Sequence, residues 1–218
     1  MTLTPVARRV MLVGILVLLG VVGYLTWTMP PVLQLGTLVR LVIFHGASTW
    51  VNMAMFTLAG LVSLLYVVMR RDRLYRIGAA FRYIAVPWWI INTMLGLLSS
   101  RLAWNSINFA EPRLQATFWI MLAAGIVLAI DFGFGKRLWS ALADVAMAAV
   151  LWTLILGARN FVHPDNPVMN SGPEIQIPFF GIVGSLFAAA LLAAMIISSL
   201  IPTEEEAAAR RAEEQTAG

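Results

Sequence analysis

Two residues in this chain can offer a neutral nitrogen to a metal: His45 and His163, the only histidines among 218 residues. Imidazole is a common metal ligand and an axial ligand of heme iron, and the two ligands of one iron need not be close in sequence. No Asp, Glu or Cys stands three or four residues from His45, and only Asp165 is near His163. A zinc or copper set is therefore weakly supported. The chain has no cysteine, which excludes disulfides, thiolate-bound metals, iron–sulfur clusters and a thioether-linked heme within it. The plainer roles for two such histidines are headgroup neighbour and hydrogen-bonded loop residue. Phosphate-cradling glycine loops and nucleophile motifs do not occur, and no general acid, base or nucleophile can be defended, so a non-enzyme is expected.

The elements that must position the histidines are set by apolarity. Hydrophobic residues make up 60% of the chain and charged residues 12%, about half the charged share of ordinary soluble domains. The apolar residues come in blocks long enough to cross about 30 Å of hydrocarbon. Six spans follow: Val10 to Met29, Phe44 to Met69, Ile77 to Ser100, Leu114 to Phe132, Leu138 to Ala158, and Pro178 to Ile201. Each must be helical, because lipid offers no partner for backbone N–H and C=O groups. The first block is long for a signal peptide and has no small-residue cleavage pattern before Pro30 and Pro31, so a retained span is expected. The expected fold class is all-α, with one six-helix transmembrane domain over residues 1–202 and a polar cytoplasmic tail over 203–218.

The net charge of +4 does not point to nucleic acid, because the basic residues cluster at the ends of apolar blocks, as topology signals do. Arg8 and Arg9, the group Arg70, Arg71, Arg73 and Arg76, the pair Lys136 and Arg137, and Arg210 with Arg211 all fall on one side of a six-span layout. That side is expected to be cytoplasmic. Arg40, Arg101, Arg113 and Arg159 fall on the other. The outer side then carries three connections, over 30–43, 101–113 and 159–177, and both histidines. Trp27, Trp50 and Trp104 are expected near the outer headgroups. The expected location is a cell (inner or plasma) membrane, with the site on the periplasmic or extracellular side.

Three segments resemble the heme-handling cytochrome c assembly family of the CcmC and CcsA type. Val39 to Phe56 reads VRLVIFHGASTWVNMAMF, similar to the stretch in which an R-x(4)-H segment opens a helix, with small residues and Trp after the His. Trp104 to Leu114 reads WNSINFAEPRL and is similar to the family's tryptophan-rich outer-loop motif, W-G-x-W-W-x-W-D followed by a basic residue. Trp104 falls on the first Trp, Glu111 on the Asp and Arg113 on the basic residue. His163 to Pro173 reads HPDNPVMNSGP, similar to the loop after the second family histidine. The sequence departs from the motif at Asn105, Ile107, Asn108 and Ala110, where the family has Gly and three further tryptophans.

The resemblance implies a heme-binding, heme-handling membrane protein of cytochrome c assembly. His45 and His163 would ligate the iron of a non-covalent heme b. Trp104 would supply stacking area, with Phe109 its only aromatic companion in the motif, and Glu111 would orient Arg113 or the loop. Arg40, Arg101, Arg113 or Arg159 would meet the propionates through bidentate guanidinium contacts. The thinned tryptophan shelf favours ligation over delivery. Expected partners are the lipid bilayer, heme, other cytochrome c maturation subunits and a heme acceptor, with no nucleic acid. Two other functions fit: a membrane electron carrier that retains a bis-histidine heme, and a cofactor-free structural subunit of a membrane complex.

The remaining polar residues in the spans have plainer expectations. Arg82 is expected to snorkel to the inner headgroups. Asp131 and Asp144 are expected to pair locally with Lys136 and Arg137. Pro87 suggests a kink beside Trp88 and Trp89. Met53 and Met55, near His45, are expected to pack rather than ligate.

Overall fold

The computed structural model describes residues 3–158, 168–207, 209 and 213. It is an all-α, multi-pass membrane protein. Helix α1 spans Pro5–Thr28, α2 Val39–Met69, α3 Asp72–Trp104, α4 Pro112–Phe134, α5 Arg137–Gly157 and α6 Pro173–Leu200. All six are long and apolar enough to cross a membrane. The start of α1 has a local cause. The hydroxyl of Thr4 accepts from the Ala7 N–H at 3.2 Å, and Pro5 takes the first helical position, where its missing N–H costs nothing.

Most of the helices begin or end beyond the apolar blocks. Helix α2 begins at Val39 rather than Phe44, α3 runs from Asp72 to Trp104 rather than from Ile77 to Ser100, and α6 begins at Pro173 rather than Pro178. Apolarity marks only the part of a helix inside hydrocarbon. Backbone hydrogen bonding continues into the headgroup zone, where polar side chains are well solvated.

Helix α2 is the hub. Its buried residues form two adjoining stripes, Val39, Ile43, Ala47, Val51, Met55 and Ala59 beside Ser48, Asn52, Phe56, Gly60 and Ser63. Fourfold spacing keeps each stripe on one face, and together they let α2 pack on α3, α5 and α6. Small residues bring the backbones close. A Cβ at Gly60 would stand 2.5 Å from Ala148 Cβ on α5, and one at Gly78 would stand 2.5 Å from Ser63 Oγ. Without a hydrophobic drive between helices in lipid, such close approach is what gives packing energy. Helix α1 is peripheral. Its one buried residue is Val22, and it lies along α6, where Leu25 meets Gly181 and Leu192 meets Gly14.

Neighbouring helices alternate in direction. Ser48 pairs with Trp88 near one end of α2, while Ser63 lies against Gly78 near the other. One face of the bundle, the terminal face, therefore holds the start of α1, the α2–α3 turn, the α4–α5 turn and the end of α6. The opposite, distal face holds the α1–α2 and α3–α4 connections and the start of α6.

Candidate functional site

His45 lies in the second turn of α2, near the distal face, with its imidazole seated on the backbone of α3. A Cβ built at Gly96 would stand 2.8 Å from His45 Cε1 and 3.1 Å from Nε2. No side chain fits there without moving the ring, so glycine at 96 is what makes the seat. The ring lies eight residues before Trp104 along α3, about 12 Å below the helix end. It is half-buried.

Below the ring, α2 and α3 are joined by neutral hydrogen bonds. Asn92 Nδ2 donates to Thr49 Oγ1 at 2.7 Å, and that hydroxyl donates to the His45 carbonyl at 2.9 Å. Trp88 Nε1 donates to Ser48 Oγ at 2.7 Å. Asn52, fully buried, reaches the turn that contains Pro87. With its amide oriented to satisfy both groups, the nitrogen donates to the Ala85 carbonyl at 3.1 Å and the oxygen accepts from the Trp89 N–H at 2.8 Å. Proline weakens a helical ladder, and in lipid a side chain must make up the loss. Trp89 turns the other way, its Nε1 donating to the Thr117 carbonyl of α4 at 3.1 Å. Met55 is wholly buried in the core and Met53 packs against it, as expected of packing residues.

The other expected site residues are at the same face in different settings. Trp104, half-buried, ends α3. Asn105 follows in the left-handed conformation at φ 53°, which short polar side chains tolerate and glycine takes freely. Glu111, at the N-cap of α4, is 4% exposed. Arg113 is exposed on the first turn of α4. Arg101 is also exposed, and its Nη1 donates to Asn105 Oδ1 at 3.1 Å. Arg40 is engaged in the α1–α2 connection. Its Nε donates to the Met29 carbonyl at 3.0 Å, and its guanidinium lies 5.3 Å from the Trp27 ring centre. His163 and Arg159 lie outside the described residues.

Heme is the group the resemblance implies, and His45 is the described residue whose chemistry suits its iron. Its imidazole lies on the bare backbone of Gly96, in a cradle that any Cβ would fill. An aromatic side chain and exposed guanidinium groups occupy the same face.

The charges inside the spans are arranged differently from expectation. Arg82 does not snorkel; it is 1% exposed, and its Nη1 and Nη2 reach Asp144 Oδ2 and Asp131 Oδ1, each at 2.8 Å. Asp131 and Asp144 therefore pair across helices with Arg82, not locally with Lys136 and Arg137. Arg137 instead pairs with Asp72, donates to the Pro202 carbonyl at 2.8 Å and covers the Tyr75 ring. The physical reason is rotational register. Arg82 sits on the inner face of α3, where a guanidinium reaches two acids more readily than it reaches water. A signal for this was present in the sequence, as two acids and one base inside spans seek one another.

No family model matches the chain, and no curated protein matches it.

Proposed function

We propose that this protein binds heme b at its distal face and handles it in cytochrome c assembly, with His45 and His163 as the iron ligands. The observation that carries this reading is the seat of His45 on Gly96. The bare backbone there leaves room for the ring of one of the only two histidines, toward the face where Trp104, Glu111 and Arg113 also stand. The left-handed turn at Asn105 supports it further, because glycine, the motif's residue at this position, takes that conformation freely.

In this reading the residues divide the work. His45 would hold the iron through an imidazole nitrogen, and Gly96 would leave the ring the room it occupies. Trp104 offers an apolar face to the porphyrin. Arg113 and Arg101 are the exposed cations available to propionates. When bound, the heme supplies the redox-active iron that the protein retains or passes on. The distal face is then the outer face of the membrane.

The test is oxidised and reduced absorption spectra of the purified protein in detergent, beside His45→Ala and His163→Ala. A Soret band with sharp reduced α and β bands, lost or altered in either variant, is the expected result. Protein that stays heme-free after expression with added heme would sink the reading. Transfer of the bound heme to an apo-acceptor separates assembly from permanent retention.

A further inference from the structure

Away from the histidine, four helices converge on one buried set of charges. Arg82 of α3 donates to Asp144 of α5 and to Asp131 of α4, both at 2.8 Å. Asp131 also accepts from Tyr83 Oη at 2.7 Å and from Tyr75 Oη at 3.5 Å. Asp144 accepts a second bond from Ser63 Oγ of α2 at 2.8 Å. Side-chain exposure is 1% for Arg82, 6% for Asp131 and 3% for Asp144.

One guanidinium faces two carboxyls, so full ionisation leaves one excess negative charge inside the bundle. Among the described residues no other charge bonds to it. Helix α6 has no charged side chain beyond Glu174 at its distal start, and α2 offers Ser63 and Tyr66 at this level. The next charges, Asp72, Arg76 and Arg137, lie at the terminal face and pair with one another. An unbalanced charge in low dielectric is costly, and two carboxyls sharing one cation relieve it by taking up a proton. The donors divide the two acids. Asp131 accepts on both oxygens, as an ionised carboxylate requires, whereas the two bonds to Asp144 both fall on Oδ2. Arg82 Nε is buried and makes no hydrogen bond, which leaves a donor inside the cluster for a water molecule.

A chain of polar groups joins this cluster to the terminal face. Arg137, paired with Asp72, lies 4.7 Å over the Tyr75 ring. Tyr75 Oη reaches Asp131, and Arg82 links Asp131 to Asp144.

We propose that the Arg82–Asp131–Asp144 cluster is a proton-binding site that loads from the terminal face past Tyr75, with Asp144 Oδ1 carrying the proton. Loading forms one O–H bond at Asp144 as a hydronium or water at the terminal face gives up its proton; release is the reverse, and no electrons move. The site is independent of heme.

Infrared spectroscopy of the full chain in lipid nanodiscs tests this, because a protonated carboxyl has a C=O stretch well separated from carboxylate bands. Glu111→Gln removes the third buried acid among the described residues from the spectrum. Near neutral pH the expected result is one protonated carboxyl per chain. Its band moves in Asp144→Glu, stays in place in Asp131→Glu, vanishes in Asp144→Asn, and doubles in Arg82→Gln. Tyr75→Phe slows its exchange in D2O several-fold. A protein with no protonated carboxyl besides Glu111, or a band unmoved by Asp144→Glu, overturns the site and leaves a structural brace. Exchange unchanged in Tyr75→Phe overturns the route. If Arg82→Gln does not fold, the wild-type spectrum and the two Glu variants still decide.

Discussion

Helices α2 and α3 are joined twice, by different chemistry. Toward the distal face the links are neutral: Trp88 to Ser48, Asn92 to Thr49, and Asn52 to the turn around Pro87. Toward the terminal face Gly78 lets Ser63 lie against α3, and Ser63 shares Asp144 with Arg82. Neutral pairs in a membrane are worth little each, because unpaired groups find other partners when the helices separate. A buried charge has no such substitute inside hydrocarbon. The terminal half is therefore the part that one substitution damages most.

The sharpest way to break this contrast is Arg82→Leu. It strands two buried acids, and stability is expected to fall by about 3–5 kcal/mol, the cost of removing one partner of a buried pair. Equilibrium unfolding in mixed micelles measures it. The triple variant Arg82→Leu, Asp131→Asn, Asp144→Asn is expected to recover most of the loss, because no buried acid is then left without its cation.

At the distal end the comparable variant is Gly96→Val. Its side chain forces the His45 ring from its seat, at a cost of about 1–3 kcal/mol for overpacking. Heme content is expected to fall as far as it does in His45→Ala. Wild-type heme content in a folded Gly96→Val protein would separate the seat from the ligand.

Two smaller effects sharpen the distal side. Asn105→Val places a β-branched residue at φ 53° and is expected to cost about 1–2 kcal/mol, whereas Asn105→Gly is expected to be neutral or mildly stabilising. Thermal denaturation of the pair reads the difference. Asn52→Leu removes the amide at the Pro87 turn, with an expected loss of about 0.6–1.7 kcal/mol, the range for hydrogen bonds between membrane helices. The same substitution in a Pro87→Ala background is expected to cost less, and a double-mutant cycle of unfolding free energies measures that coupling.

The sequence by itself determined the six spans and the face on which His45 stands. Apolar blocks of membrane length admit only helix, and an even number of alternating helices returns both ends to one face. It also placed Trp104, Glu111 and Arg113 together, since they are neighbours on one connection. Tertiary structure alone decided the rest. The helix ends ran past the apolar blocks because hydrogen bonding does not stop where hydrocarbon does. Glu111 turned out buried, and Gly96 became the floor under His45 from 51 positions further along the chain. The pairing of Arg82 with two acids depended on the rotation of α3, α4 and α5 about their axes. Composition and charge bias are blind to rotation, because they record how far along a helix a residue lies and not which neighbour it faces.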